Sequence, residues 1–410
     1  MAKISGAEIF IESLKKENVE VLFGYPGGKV IPIYDLLYDA PFKHVMTRHE
    51  QGAVHAADGY ARSTGRVGVC ISTSGPGATN LVTGLATAYM DSIPVVAFTG
   101  QVATNMIGKD AFQEADIKGI TMPVTKHNYL VTDVKDFAHT IKEAFHIART
   151  GRPGPVLIDM PVDITKAFAE FNYPKEVNLP GYNQVYEIDE KQLKSAADVI
   201  NTSKKPVIFA GGGAVISDAA NQLKEFAQKV RIPVITSLMG LGVYPENDEL
   251  SLGMPGMHGS RYANYALTET DLIIAIGARF DDRVTGRLDT FAKNARIIHI
   301  DIDPAEIRKN VDTLISIVGD AKGILSGLIP LVEETDKSEW LGQIHDWKMA
   351  HPLFYDDDSD EIKPQAVIQE LNKLTEGKAV IVTEVGQNQM WAAQYYNYSI
   401  SRNFLSSGGL

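Results

Sequence analysis

Short runs rich in Val and Ile alternate with amphipathic segments along the first part of the chain, at residues 19–25, 67–72, 94–99 and 155–160, and residues 44–47 read as a further short strand. Runs of this length, separated by segments with helical spacing, predict a parallel sheet covered by helices on both faces. Residues 172–189, with Pro174, Pro180 and Gly181 in a polar surround, read as a linker. Beyond it the alternation resumes, with strands expected at 206–210, 232–236, 272–276, 297–300 and 315–318. A third unit is expected after a linker at 336–363, with a helix at 364–374, a strand at 379–385 and a helix at 387–396. The expected organisation is α/β throughout, as successive parallel-sheet, three-layer domains. An N-terminal domain covers 1–170, a central domain 190–335, and 364–410 begins a third domain that reads as incomplete. Its closing Gly-rich turn, residues 406–410, leads into no helix.

The stretch Arg48-His49-Glu50-Gln51 stands where a strand turns into a helix carrying Ala53, Ala56, Ala57 and Ala61. Glu50 opens that helix, where its charge meets the positive end of the helix dipole. A surface acid placed for the helix alone would look the same. Three Gly-rich turns argue for more: Gly24-Tyr25-Pro26-Gly27-Gly28, Ser74-Gly75-Pro76-Gly77-Ala78-Thr79-Asn80 and Thr99-Gly100-Gln101 each follow a strand. They are expected on the same sheet edge as Glu50, where backbone amides can approach a ligand closely. In the second domain Gly211-Gly212-Gly213 opens a helix after a strand, with glycine spacing that departs from the dinucleotide fingerprint. Asp301-Ile302-Asp303-Pro304 follows another strand, where an acid can take ribose hydroxyls or cap the helix expected at 304–309.

The chain's 410 residues exceed one ordinary core, and 44% hydrophobic with 22% charged residues is a globular, cytoplasmic balance. A net charge of −12 argues against nucleic acid or an anionic membrane as partner. Cys70, the single cysteine, lies in an apolar run and reads as a core thiol. Neither a signal peptide nor a membrane span is expected, because Ser5 and Glu8 already stand at capping-box spacing. The acidic run at 356–361 reads as a solvated linker, since consecutive carboxylates do not converge on one ion.

These motifs, together with Asp110-Ala111-Phe112-Gln113-Glu114, Gly151-Arg152-Pro153-Gly154-Pro155, Gly256-Met257-His258-Gly259, Arg279-Phe280-Asp281-Asp282-Arg283 and Gly386-Gln387 before Gln389-Met390-Trp391, follow one another in the order of a known family. The chain resembles the large, catalytic subunit of acetolactate synthase (acetohydroxyacid synthase), a thiamine-diphosphate-dependent enzyme, over essentially its whole length. The resemblance implies the thiamine-diphosphate-binding fold and a carboligase. Such an enzyme decarboxylates pyruvate on the cofactor and joins the hydroxyethyl unit to a second 2-keto acid, pyruvate or 2-ketobutyrate, in branched-chain amino acid biosynthesis. It implies that Glu50 bonds N1′ of the aminopyrimidine, a proton-sharing that the apolar Ala53 and Val54 would favour. It further implies that Tyr25, Pro26 and Gly27 form the turn beside the pyrimidine, and that Phe112 and Gln113 face the reacting carbon. Arg283 would hold the second keto acid's carboxylate through its fork, against the plainer reading of a surface pair with Asp281 or Asp282.

By the same resemblance FAD is a structural, non-redox cofactor, contacted by Arg152, Gly212, Gly213, His258, Gly259, Gly277, Arg279, Asp301, Asp303 and Asp320. Gln387 and Asn388 would lie near the diphosphate. Two positions depart from the family pattern: Val162 replaces a Lys, and Asn388 replaces a His, keeping hydrogen bonding without a charge. The Gly-Asp-Gly…Asn segment that binds magnesium and the diphosphate does not occur in the sequence, so no metal ligand is named and the chain alone is expected to be inactive. A homodimer or higher homo-oligomer with the active site at the subunit interface is implied, and a small regulatory subunit is left open. The alternatives are another FAD- and thiamine-diphosphate-containing enzyme, of pyruvate oxidase or glyoxylate carboligase type, and a non-catalytic FAD-binding fragment.

Overall fold

Burial sorts the strands of the computed structural model, which describes residues 2–182, 184, 188–356 and 361–410. In the first unit, Met1–Gln184 with Gly408–Leu410, the strands are β1 (Lys3–Ser5), β2 (Val21–Gly24), β3 (Lys43–Met46), β4 (Gly68–Ser72), β5 (Val95–Gln101), β6 (His127–Leu130), β7 (Val156–Pro161) and β8 (Phe168–Glu170). Six form one parallel sheet in the order β3-β2-β4-β5-β7-β6. Every residue of β4, β5 and β7 is buried, while the edge strands β3 and β6 are only partly so. Helices on both faces explain why the central strands read as continuous apolar runs. Cys70 of β4 has no exposed surface, and burial pushes its thiol up to about 12.

The first helix, Gly6–Lys16, starts at Ser5 with the expected capping box: Glu8 N donates to Ser5 Oγ at 3.2 Å and Ser5 N to Glu8 Oε2 at 2.7 Å. The helix Glu50–Thr64 lays Ala53, Ala57 and Ala61 on the sheet. Its buried Arg62 pairs with Asp58 at 2.6 Å and Asp91 at 2.8 Å.

The second unit, Val185–Ser407, contains β9 (Pro206–Ala210), β10 (Val234–Thr236), β11 (Leu272–Ile276), β12 (Arg296–Asp301) and β13 (Ile315–Val318). They form a parallel sheet in the order β10-β9-β11-β12-β13. The two remaining strands, β14 (Ile381–Val382) and β15 (Phe404–Leu405), make a separate parallel pair. Among the described residues no helix is long and apolar enough to cross a membrane.

Several expectations are corrected. The helix expected at 304–309 is a run of turns, in which Arg308 takes a left-handed φ of 60° that a helix cannot continue through. The strand expected at 379–385 shrinks to the two residues of β14. Residues 336–363, expected as a linker, include the helix Ser338–Ala350, because Trp340 and Ile344 are buried in the second unit's core. The 171–189 linker is likewise partly packed: Tyr173 donates to Glu17 at 2.6 Å, and Leu179 and Tyr182 rest on the first core. Residues 183 and 185–187 of that stretch, and 357–360 of the acidic run, lie outside the described residues. Strand β6 and the antiparallel pair β1–β8 were not anticipated, since three- and four-residue strands carry little periodicity.

Candidate functional site

Strand order in the first sheet reverses at β2: β3 lies to one side of it and β4 to the other. A parallel α/β sheet opens a crevice at the C-terminal ends of the strands where the order reverses, which is where ligands bind. The turns after β2 and β4 flank this point, with Glu50 after β3 and Gln101 closing β5. The turns after β2 and β4 therefore share one sheet edge with Glu50, as the sequence suggests, whereas Thr99-Gly100-Gln101, expected as a third turn, is the paired C-terminal end of β5 itself.

Glu50 is the first residue of its helix and only 8% exposed. His49 caps the helix, its Nδ1 accepting from Gln51 N at 3.1 Å. Asn80 Nδ2 donates to Glu50 Oε2 at 2.9 Å. A Cβ on Gly77 would stand 3.2 Å from Glu50 Oε1 and 2.8 Å from Thr73 Cγ2, so glycine there leaves the carboxylate room. Thr73 ties in the other turn, since Lys29 N donates to its Oγ1 at 3.2 Å and a Cβ on Gly27 would strike it at 2.4 Å. Tyr25 is 37% exposed in this turn, and Ala53 and Val54, three and four residues after Glu50 on its helix, are wholly buried. Asn80 appears in the sequence motif but carries no role there. Its signal was an amide within the one Gly-rich turn that faces a buried acid.

The segment after β5 brings Gln113 to the same place. Gln113 has a φ of 59°, and Gly75 approaches it so closely that a Cβ would lie 2.8 Å from its carbonyl oxygen. Phe112 is 84% exposed. Glu114 closes the segment on itself, accepting from Gly108 N and from Ala111 N at 3.0 Å; these backbone donors hold its carboxyl below the usual range. Val162 begins the short helix Val162–Lys166 after β7, on the same edge. Arg152 precedes β7 and so stands at the opposite, N-terminal edge, with its Nε donating to Ser92 Oγ at 2.8 Å.

The second sheet also reverses, at β9, between β10 and β11. Gly211 to Gly213 follow β9 and Gly277 follows β11; Gly213 N donates to the Gly277 carbonyl at 3.0 Å. A Cβ on Gly213 would meet Gly277 Cα at 2.7 Å, so the two turns touch backbone to backbone. Asp301 ends β12, 8% exposed, and accepts from Asp303 N at 2.9 Å. Asp303 in turn accepts from Ala305 N at 2.9 Å. Asp320 caps the helix Ala321–Leu328 and takes Ser217 Oγ at 2.6 Å. Gly212, Gly213, Gly277, Arg279, Asp301, Asp303 and Asp320 thus all stand at or just after strand ends of this one edge.

Other expected residues stand apart. His258 is exposed, its carbonyl accepting from Gln394 Nε2 at 2.5 Å, and Gly259 follows it in the same loop. Arg283 sits in the one-turn helix Asp282–Thr285, its side chain 69% exposed and 3.7 Å from Asp282. The loop bearing His258 reaches it, since Met257 N donates to the Arg283 carbonyl at 3.0 Å. Gln387 and Asn388 are exposed at the start of the helix Gln387–Tyr395. Gln389, quoted in the motif without a role, is buried and donates to Ser406 Oγ at 2.6 Å, tying that helix to the residues after β15.

Comparison with known proteins agrees with both units. Residues 4–120 match the family described as "Thiamine pyrophosphate enzyme, N-terminal TPP binding domain", and 193–328 match "Thiamine pyrophosphate enzyme, central domain". The acetolactate synthase large subunit of Corynebacterium glutamicum is 51% identical over 415 residues, covering 100% of this chain and 66% of that protein. The probable acetolactate synthase large subunit of Methanocaldococcus jannaschii is 51% identical over 99% of this chain and 71% of its own length. For the Haemophilus influenzae large subunit the figures are 48%, 100% and 73%. The chain therefore spans about two thirds to three quarters of the length of these relatives.

Proposed function

Because the chain belongs to the family of acetolactate synthase large subunits, we propose that it carries the pyrimidine-side half of a thiamine-diphosphate carboligase. The substrates are pyruvate and a second 2-keto acid, pyruvate or 2-ketobutyrate, and the setting is branched-chain amino acid biosynthesis in the cytoplasm. The observation that carries the reading is Glu50: a nearly buried carboxylate at the sheet's reversal point, held at one oxygen by Asn80 and given space by Gly77.

The residues present fit an aminopyrimidine. Glu50 Oε1, the oxygen that Asn80 does not engage, would bond the ring nitrogen N1′, in a setting where Ala53 and Val54, one helical turn further on, are wholly buried. When bound, thiamine diphosphate supplies the electron sink for loss of carbon dioxide from pyruvate. Tyr25, Pro26 and Gly27 would border the ring, and Gln113, whose backbone lies against Gly75, would offer its amide to the reacting keto acid. Arg283 takes the second keto acid's carboxylate through its fork. FAD, in a structural role, would be held along the second unit's edge by Gly212, Gly213, Gly277, Asp301 and Asp320; the reversal of strand order at the glycine turns supports this. The diphosphate near Gln387 and Asn388, magnesium with no ligand assigned in this chain, and a homodimer or higher homo-oligomer complete the proposal, with a small regulatory subunit left open.

The test is acetolactate formation from pyruvate with thiamine diphosphate, magnesium and FAD, assayed on a chimera that continues this chain with the remaining residues of the C. glutamicum large subunit. Glu50→Gln should keep the melting temperature and flavin content and slow the reaction by about 10²-fold or more, the scale of a lost acid-base group. A full rate would remove Glu50 from the mechanism.

A further inference from the structure

Gln101 is the last residue of β5 and 4% exposed, and every polar atom of its side-chain amide is used. Its Nε2 donates to Asp159 Oδ2 at 2.9 Å and to the Ala115 carbonyl at 2.8 Å, and its Oε1 accepts from Val102 N at 2.8 Å. Asp159, on the neighbouring strand β7 and 2% exposed, takes Thr99 Oγ1 on its other oxygen at 2.7 Å. A buried carboxylate thus orients one face of the amide while the other face grips a carbonyl two residues beyond Gln113. The near side of the same segment is pinned separately, by Asp163 accepting from Thr104 N at 3.0 Å and Thr104 Oγ1 at 2.5 Å.

We propose that Gln101, oriented by Asp159, is a positioning residue that fixes the segment carrying Phe112 and Gln113 against Gly75 at the thiamine-side edge. The proposal rests on the reading of Gln113 as a site residue for its meaning, but not for its test. An amide suits the position because it donates twice and accepts once in one plane. A carboxylate at 101 would set a second acid against Asp159, and an apolar side chain would take the donor from Asp159 Oδ2 and leave the Ala115 carbonyl only its local bond from Ile117 N, so that the tie between the segment and β7 is lost. Asp159→Asn, in contrast, keeps an acceptor for Gln101 if Thr99 turns its hydroxyl to accept.

The experiment is hydrogen exchange read by mass spectrometry on the 410-residue chain, without cofactor. In the wild type the amides of Gly108, Ala111 and Glu114 are bonded within the segment. Gln101→Met should raise exchange over 106–114 by about tenfold or more, the scale of buried hydrogen bonds lost, with peptides from β4 and the helix Glu50–Thr64 unchanged. Gln101→Asn, one methylene shorter, keeps a polar partner for Asp159 without reaching Ala115 and should do the same if the Met variant fails to fold. Asp159→Asn should stay within about twofold of the wild type, whereas Asp159→Leu should behave like Gln101→Met. Unchanged exchange over 106–114 in both Gln101 variants, or a rise shared by all peptides, would overturn the proposal. Since no cofactor or turnover enters this readout, failure of the Glu50 mechanism would leave it standing, and the reverse holds equally.

Discussion

Asn80 Nδ2 donates to Glu50 Oε2 at 2.9 Å across thirty residues of sequence, joining the turn after β4 to the helix that follows β3. Because β2 lies between these strands in the sheet, the bond spans the mouth of the crevice where strand order reverses. A carboxylate so held keeps one oxygen occupied and presents the other.

Removing the amide should therefore be felt in stability as well as in chemistry. Asn80→Ala is expected to lower the unfolding free energy by about 1 to 3 kcal/mol, the cost of leaving a largely buried acceptor unpaired. Asn80→Asp should cost at least as much, because two carboxylates would meet in a partly buried site. Urea unfolding measures both, and wild-type midpoints would show that the bond contributes nothing.

Asp159 makes stability pH-dependent in a stated direction. Burial pushes its carboxyl up from its ordinary 3.8 to about 7, against the lowering effect of the bonds from Thr99 and Gln101, and the Asp116 carboxylate adds to the rise. Between those values the unfolded chain has released the proton that the folded chain retains. Stability is thus lost as pH rises from about 4 to about 7 and is level above. Asp159→Asn removes that loss: at pH 8 the variant should be more stable than the wild type by about 1 to 3 kcal/mol, and at pH 4 no more stable. Thermal melts at the two pH values measure the difference, and a constant offset would refute the assignment.

What could be read from the sequence follows how local each signal is. The buried strands β4, β5, β7 and β11 announce themselves because both faces are covered, so their apolar runs are continuous. The Glu50 helix and the Ser5 capping box are equally local patterns. The helix Ser338–Ala350 was hidden because its burial depends on Trp340 meeting Pro206, to whose carbonyl it donates at 3.0 Å. The Gln101–Asp159 bond was invisible for the same reason, joining residues 58 positions apart on adjacent strands. Arg308 looked helical, and only its left-handed backbone in the structure shows that the segment after β12 turns.

Arg283 is largely exposed and only 3.7 Å from Asp282, a weak tie that leaves its fork available for a carboxylate. In the C. glutamicum chimera Arg283→Lys should raise KM for the second keto acid by about tenfold while changing KM for the first by less than about twofold, because a point charge does not replace a bidentate clamp. Equal changes for both substrates would mark the arginine as structural.

A structural flavin needs no electrons. The same chimera reconstituted with 5-deaza-FAD should form acetolactate within about twofold of the rate with FAD, since the flavin is asked only to bind. Strict dependence on a redox-competent flavin would favour the oxidase reading.

The pairing of Glu50 with the pyrimidine nitrogen is tested most directly by a double cycle of binding constants. Thiamine diphosphate and an analogue with carbon in place of N1′ are titrated with magnesium into the wild-type chimera and its Glu50→Gln variant. If Glu50 and N1′ share a proton, replacing N1′ weakens wild-type binding by about tenfold or more and leaves the variant nearly unaffected, a coupling expected of groups in contact. The same loss in both proteins would show that Glu50 does not meet the cofactor there, and would contradict the account.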